Sequence, residues 1–271
     1  MNSTMSITTP IGNICDIELF MLDMDGTIYL GDSLFDCTIP FLDKLKEKKI
    51  DYLFLTNNSS KDKKEYLAKL SRLGIETDAK QLLTSGDVTI EYIKEHYPNQ
   101  KVFLVGTTAL ERAFAEAGLI LSEYEKADLV VVGFDTSLNY EKLNGIYQMV
   151  MKQKPYLCTH PDMVCPTEDG YIPDIGATIA YVESITGRLP DSIIGKPKRY
   201  MIDAAAERFD VSPERIAMVG DRLYTDIAMA VDAGIMSILV LSGETKAEDL
   251  KDSPIQPVFT FADLSSITNE L

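Results

Sequence analysis

Short apolar runs alternate with amphipathic stretches along almost the whole chain, and the lengths of the two kinds of segment predict strands alternating with helices. Leu19-Phe20-Met21-Leu22 and Ile216-Ala217-Met218-Val219 are uninterrupted apolar runs with no polar alternation, the pattern of parallel strands buried on both faces. After the first run, Ile39 to Lys48 has helical spacing, and Asp51 to Thr56 reads as the next strand. Asn57-Asn58-Ser59-Ser60 breaks the pattern, with Ser60 expected to cap a helix from about Lys61 to Leu73 that Gly74 ends.

A second series begins near Thr84. Val88 to His96, Thr108 to Ala117, Tyr140 to Lys152 and Ala177 to Thr186 read as helices, and Lys101 to Val105, Leu129 to Val132 and Tyr156 to Thr159 as strands. The first style then resumes: Ser192 to Pro197, a helix from about Arg199 to Arg208, the Ile216 strand, a helix from about Thr225 to Ala233, Ser237 to Leu241, and a last short strand at Pro257 to Phe259 before a terminal helix. No long linker separates the series, so the middle one reads as an insertion. The expected organisation is a flexible tail over 1–14, a first core segment over 15–83, an inserted α/β unit over 84–186 and a second core segment over 187–271.

Both opening runs lead into acidic clusters, Asp23-Met24-Asp25-Gly26-Thr27 and Gly220-Asp221-Arg222-Leu223-Tyr224-Thr225-Asp226. Each is expected at a strand's C-terminal end, the edge of an open α/β sheet where ligands bind, so the two could share one site. At about 4 Å and an effective dielectric of about 20, each like-charge pair costs on the order of 4 kcal/mol, so a cation is implied. Oxygen donors point to a hard ion, and one or two carboxylates plus substrate phosphate is how Mg²⁺ is usually held.

Composition narrows the rest. A net charge of −16 over 271 residues opposes non-specific binding to nucleic acid or anionic membranes. The cysteines at 15, 37, 158 and 165 lack C-x-x-C spacing and are expected to be free thiols of a reducing compartment. Two histidines, His96 and His160, make a histidine-based zinc site a poor reading. Residues 1–14 carry no Lys, Arg or sustained apolar run, and nothing approaches a membrane span, so a soluble cytoplasmic protein is expected.

Asp23 and Asp25 stand two apart, which in an extended segment puts both side chains on one face, and Gly26 lets the chain turn. One carboxylate can then attack phosphorus while the other handles a proton. Thr56 and Asn57 end a strand where a hydroxyl and backbone N–H groups could hold phosphate, although a helix-capping Asn/Ser cluster is the simpler reading of that segment alone. Lys196, between Gly195 and Pro197, could pair with a phosphoryl group or be a solvated loop lysine. Asp226 in the first turn of a helix would suit the helix dipole and could face the same crevice as Asp221.

Taken in order, Asp23-x-Asp25-Gly26-Thr27, Thr56, Lys196 and Gly220-Asp221-x3-Thr225-Asp226 resemble the four-motif signature of haloacid dehalogenase-like hydrolases. The resemblance implies a doubly wound, parallel-sheet, Rossmann-like core with a smaller α/β cap inserted. It implies Asp23 as nucleophile, Asp25 as general acid-base, and Thr56, Asn57 and Asn58 at the phosphate. Lys196 would neutralise charge, and Mg²⁺ would be bound by Asp23, the backbone carbonyl of Asp25, and Asp221, with Thr27 and Asp226 supporting them from behind. Thr56-Asn57-Asn58-Ser59, Thr159-His160-Pro161-Asp162, Pro166-Thr167-Glu168 to Gly176-Ala177, and Gly195-Lys196-Pro197 resemble the p-nitrophenylphosphatase-like group with its large cap. His160 departs from that group's usual Asn.

The activity implied is a Mg²⁺-dependent phosphomonoesterase acting through an aspartyl-phosphate. Its substrate would be a small phosphorylated metabolite such as a sugar phosphate, nucleoside monophosphate, phosphoglycolate or p-nitrophenyl phosphate-like ester. Neither nucleic acid nor membrane is an expected partner, and a homodimer through the cap is compatible with the resemblance. His160, Asp162, Arg222, Leu223 and the Tyr171 to Gly176 loop are candidate substrate contacts, with a plain surface loop the competing reading of His160. A phosphomutase or other phosphotransferase using the same intermediate, or a non-catalytic phosphometabolite-binding protein, are the competing functions.

Overall fold

The computed structural model describes residues 12–167 and 170–271. Most of the expected tail, and Glu168 of the Pro166-Thr167-Glu168 motif, lie outside the described residues. At the described end of that tail, Asn13 caps a 3₁₀ turn over Ile14–Asp16, and Ile14 is buried.

The elements follow the alternation read from the pattern. β1 (Leu19–Asp23) is buried throughout, and short strands β2 (Tyr29–Leu30) and β3 (Ser33–Leu34) precede α1 (Thr38–Lys48) and β4 (Asp51–Thr56). Next come α2 (Lys63–Arg72), β5 (Leu82–Thr84), α3 (Ser85–His96), β6 (Lys101–Val105), α4 (Thr108–Glu116), β7 (Ile120–Leu121) and β8 (Leu129–Val132). α5 (Tyr140–Met151), β9 (Tyr156–Cys158), β10 (Val164–Thr167), β11 (Gly170–Pro173), α6 (Ile175–Thr186) and β12 (Ser192–Ile193) complete the middle of the chain. α7 (Tyr200–Phe209), β13 (Ile216–Gly220), α8 (Ala228–Ala233), β14 (Met236–Val240), β15 (Phe259–Phe261) and α9 (Leu264–Thr268) form the last part.

The chain divides into two compact units. The first contains the residues up to Leu30, Leu34–Tyr52 and Ala206–Leu271; the second contains Gly31–Ser33 and Leu53–Ala205. In the first unit, parallel strands run in the order β15-β14-β13-β1, with Leu19 to Leu22 in register with Ile216 to Val219. The Asp51 N–H donates to the Glu18 carbonyl (2.9 Å), seating the start of β4 beside β1.

In the second unit the rest of β4 pairs with β5, Thr56 opposite Thr84. A separate parallel sheet has the order β12-β9-β8-β6-β7. Val105, Val130, Val132 and Tyr156 pack on α5 and α6, while Val102, Leu104, Leu129 and Val131 pack on α3 and α4. Helices therefore cover both faces, which explains why these strands read as unbroken apolar runs.

Local physics moves several expected boundaries. The cap of α2 is Asp62 rather than Ser60: Asp62 accepts from the Glu65 N–H (2.9 Å) and Glu65 returns to the Asp62 N–H (3.0 Å), a reciprocal capping box. The Tyr171 to Gly176 stretch is not a loop, because Gly170–Pro173 pairs antiparallel with Val164–Thr167 and Ile175 already begins α6. The helix expected from Thr225 opens earlier with a π turn at Leu223–Ile227, and the last strand falls at Phe259–Phe261. No helix among the described residues is long and apolar enough to cross a membrane.

Candidate active site

In the first unit the ends of β1 and β13 concentrate acid. Asp23 closes β1, and Asp221 follows Gly220 directly after β13. Asp226 stands in the π turn, fully buried, where its carboxylate accepts from the Arg222 N–H (3.2 Å). Asp23, Asp221 and Asp226 each bring a carboxylate oxygen to within 4.8 Å of the others. Asp226, expected as a support, thus stands among the potential ligands. Asp25 is half-buried in an isolated bridge with Tyr29.

Gly26 is required where it stands: its φ is +91°, and a Cβ there would run into the Asp221 carboxylate. Asp221 also accepts from the Glu244 N–H (2.7 Å) and, at the limit of a hydrogen bond, from the Thr27 hydroxyl (3.5 Å). Burial, then the charges of Asp23 and Asp226, push the Asp221 carboxyl up to about 8, although the Glu244 N–H and Arg222 work against the rise. Burial disfavours the Arg222 charge, yet Asp23, Tyr224, Glu244 and Asp221 together hold that guanidinium above the ordinary arginine range. The guanidinium pairs with Glu244 (3.0 Å), and the Tyr224 hydroxyl donates to the other oxygen of the same carboxylate (2.8 Å). A buried, oxygen-only donor set with this excess of negative charge fits a hard divalent cation.

The second unit holds a different arrangement. Asn57, at the end of β4 and 6% exposed, clamps the main chain of Lys196: its carboxamide oxygen accepts from the Lys196 N–H (2.8 Å) and its NH₂ donates to the Lys196 carbonyl (3.0 Å). The same NH₂ reaches both Asp162 oxygens at 3.2 Å. Lys196 is itself only 3% exposed, so the solvated-loop reading fails. The Thr56 hydroxyl accepts from the Asn58 N–H (3.1 Å), and Asn58 Oδ1 caps the Ser60 N–H (2.9 Å), so Asn58 is a turn former.

His160 is fully buried, which overturns the surface-loop reading. Its Nε2 lies 3.1 Å from Asp174 Oδ1 and its Nδ1 3.1 Å from the Thr159 hydroxyl. Thr159 meets the Ser59 hydroxyl (2.9 Å), which accepts from the Phe134 N–H (2.9 Å), and Ser85 donates to the Asn57 carbonyl. His160, Asp162 and Asp174 also bring ligand atoms to within 4.8 Å of one another.

Several participants were not read from the sequence. Glu244 and Gly243 close over Asp221, and Ser242 donates to the Gly26 carbonyl (2.7 Å). The available signal was their place just after β14, at the same strand edge as Asp221. Ser85 left no such signal, because an isolated hydroxyl is common in any α/β chain, while Ser59, Thr159 and Asp174 fell inside segments that the motifs had marked without being assigned the contacts they make.

Family models described as haloacid dehalogenase-like hydrolase and HAD-hydrolase-like match residues 20–120 and 193–267. The acid sugar phosphatase of Staphylococcus haemolyticus is 35% identical over 252 residues, covering 93% of this chain and 95% of that protein. The crystal structure of 4-nitrophenylphosphatase from Thermotoga maritima superposes with a TM-score of 0.92 at 44% identity, covering 94% of this chain and 98% of that one. The p-nitrophenyl phosphatase from Archaeoglobus fulgidus gives 0.90 at 29% identity, covering 94% of this chain and all of that one (100%). With an acidic cluster at the strand ends and relatives matched over nearly their full length, the chain belongs to the haloacid dehalogenase-like hydrolases, in their p-nitrophenylphosphatase-like branch of phosphatases.

Proposed function

We propose that the protein is a Mg²⁺-dependent phosphomonoesterase that cleaves a small phosphorylated metabolite, a sugar phosphate foremost, through a phosphoryl group carried on Asp23. The observation that carries this reading is the buried group of Asp23, Asp221 and Asp226, with the half-buried Asp25 two residues after the nucleophile. Asp23, Asp221 and the backbone carbonyl of Asp25 would hold Mg²⁺, with Asp226 beside them, and the ion when bound offsets their mutual repulsion and the charge of the phosphoryl oxygens.

Asp23 attacks phosphorus and the ester oxygen departs with a proton from Asp25. Asp25 then takes a proton from water as that water attacks the acylphosphate, returning Asp23 to its free form and releasing phosphate. Motif order gives Thr56 and Lys196 to the phosphoryl oxygens, and the clamp of Asn57 on the Lys196 main chain supports a fixed ammonium. Acid sugar phosphatase relatives support the choice of substrate class, and four free thiols support a cytoplasmic location.

The test is Asp23→Asn assayed on p-nitrophenyl phosphate and a panel of sugar phosphates, with circular dichroism to verify folding. Loss of phosphate release in a folded variant is expected. Wild-type turnover by that variant would sink the assignment, and an isomeric product without free phosphate would turn the reading into a mutase.

A further inference from the structure

The acidic group of the first unit carries a positive charge of its own. Arg222 follows Asp221 directly, its N–H donates to the Asp226 carboxylate (3.2 Å), and its side chain is 16% exposed. Burial works against the charge of this guanidinium, and Asp23 leads the groups that restore it. A cation is thus already built in beside carboxylates that crowd one another.

The guanidinium is held from the segment after β14. That strap, 242–245, is tied to the acidic group at each position. Ser242 donates to the Gly26 carbonyl (2.7 Å), and a Cβ on Gly243 would run into the Asp221 carboxylate. The Glu244 N–H donates to Asp221 Oδ2 (2.7 Å), and the Thr245 N–H donates to the Asp221 carbonyl (3.2 Å). With its main chain on Asp221, Glu244 sets its carboxylate 3.0 Å from Arg222 Nε and accepts from the Tyr224 hydroxyl (2.8 Å). Arg222 Nε makes no aligned hydrogen bond, so the contact is an ion pair. Charge, rather than hydrogen-bond direction, couples the two side chains.

The signs of these charges give the pair a role. A divalent cation taken up by the acidic group is attracted by Asp23 and Asp221 and repelled by Arg222, and Glu244 offsets that repulsion. The two contributions nearly cancel when both side chains are present or both are absent.

We propose that Arg222 and Glu244 form a charge couple that sets how tightly the acidic group holds its divalent cation. Arg222 loosens the hold, and Glu244, acting through Arg222, restores it. Both are positioning residues, since they act on Asp23 and Asp221 rather than on a substrate. The couple rests on the metal-assisted reading given above.

Calorimetric titration of Mg²⁺ into the full chain, with no phosphate ester present, tests it. Arg222→Gln should bind Mg²⁺ about tenfold more tightly than the wild type, and Glu244→Gln about tenfold more weakly. The double variant should return to within about twofold of the wild type, whereas a purely structural role would weaken binding in all three. Tyr224→Phe removes a hydrogen bond but no charge, and should change the affinity less than about twofold. Melting temperatures in EDTA verify folding. Should Arg222→Gln fail to fold, Arg222→Lys, which keeps the charge and should keep the affinity, joins Glu244→Gln, whose side chain is 37% exposed and whose bond to Asp221 is main-chain. Shifts of the same sign in the two single variants, an additive loss in the double variant, a loss in Tyr224→Phe as large as in Glu244→Gln, or a wild type that takes up no Mg²⁺ would overturn the couple. A protein that releases no phosphate yet shows the opposed shifts would defeat the proposed reaction and leave the couple standing. An active phosphatase whose variants shift together would do the reverse.

Discussion

The acidic group around Asp221 and the polar group around Asn57 are equally buried, yet they solve burial in opposite ways. The Asn57 carboxamide makes two hydrogen bonds to the Lys196 main chain, Ser59 and Thr159 pass bonds along a chain of hydroxyls, and His160 leans on Asp174. Asp23, Asp221 and Asp226 instead press like charges together, and the protein answers with an Asp221 carboxyl pushed up to about 8 by burial and those neighbours. The first arrangement is complete in the polypeptide and gives rigidity. The second gathers like charges in one place, which a bound cation of the kind proposed above would offset.

Breaking the acidic group's geometry should have the largest effect. Gly26→Ala forces a left-handed backbone onto a residue with a Cβ and drives that Cβ against Asp221, so kcat/KM for p-nitrophenyl phosphate should fall roughly 10³-fold. Near-wild-type turnover would show that the Asp221 position is not critical.

Opening the complete network should cost less. Asn57→Ala removes both bonds to the Lys196 main chain, and on the role proposed above for Lys196 the loosened ammonium should lower kcat by about 10²-fold. A kcat loss with little change in metal affinity would separate this network from the acidic one, and a loss of metal affinity alone would merge them.

The smallest effect sharpens the contrast through pH. Because the folded Asp221 holds its proton to about 8 and an unfolded one releases it near 3.8, the folded state binds more protons across that window. Stability of the metal-free protein should therefore fall as pH rises from about 4 to about 8 and level off above. Asp221→Asn should remove that slope, and MgCl₂ should stabilise the wild type more as pH rises. Thermal melts in EDTA and in MgCl₂ decide it; equal slopes for wild type and variant would contradict the charge argument.

Much of this was legible in the residues. Continuous apolar runs located β1, β4, β6, β8 and β13 because strands covered on both faces need no polar alternation. The hairpin of β10 and β11 was not legible: exposed positions, Pro166, Gly170 and Pro173 all carry the composition of a loop. The π turn at Leu223–Ile227 leaves no compositional trace at all. The cap of α2 was readable and was misplaced, since Asp62 with Glu65 three residues on is a capping box that Ser60 cannot form. The acidic cluster was visible because carboxylates after apolar runs at sheet edges stand out, whereas His160 was ambiguous because one histidine fits a core as readily as a surface.

One consequence concerns motion. β1 is buried at every residue and locked in register to β13, so its amides should be among the last in the chain to exchange with deuterated water. Asp23 ends that strand. The proposed nucleophile is thus attached to slow-exchanging backbone, and fluctuations that open loops or fray helices on faster timescales leave its carboxylate in place.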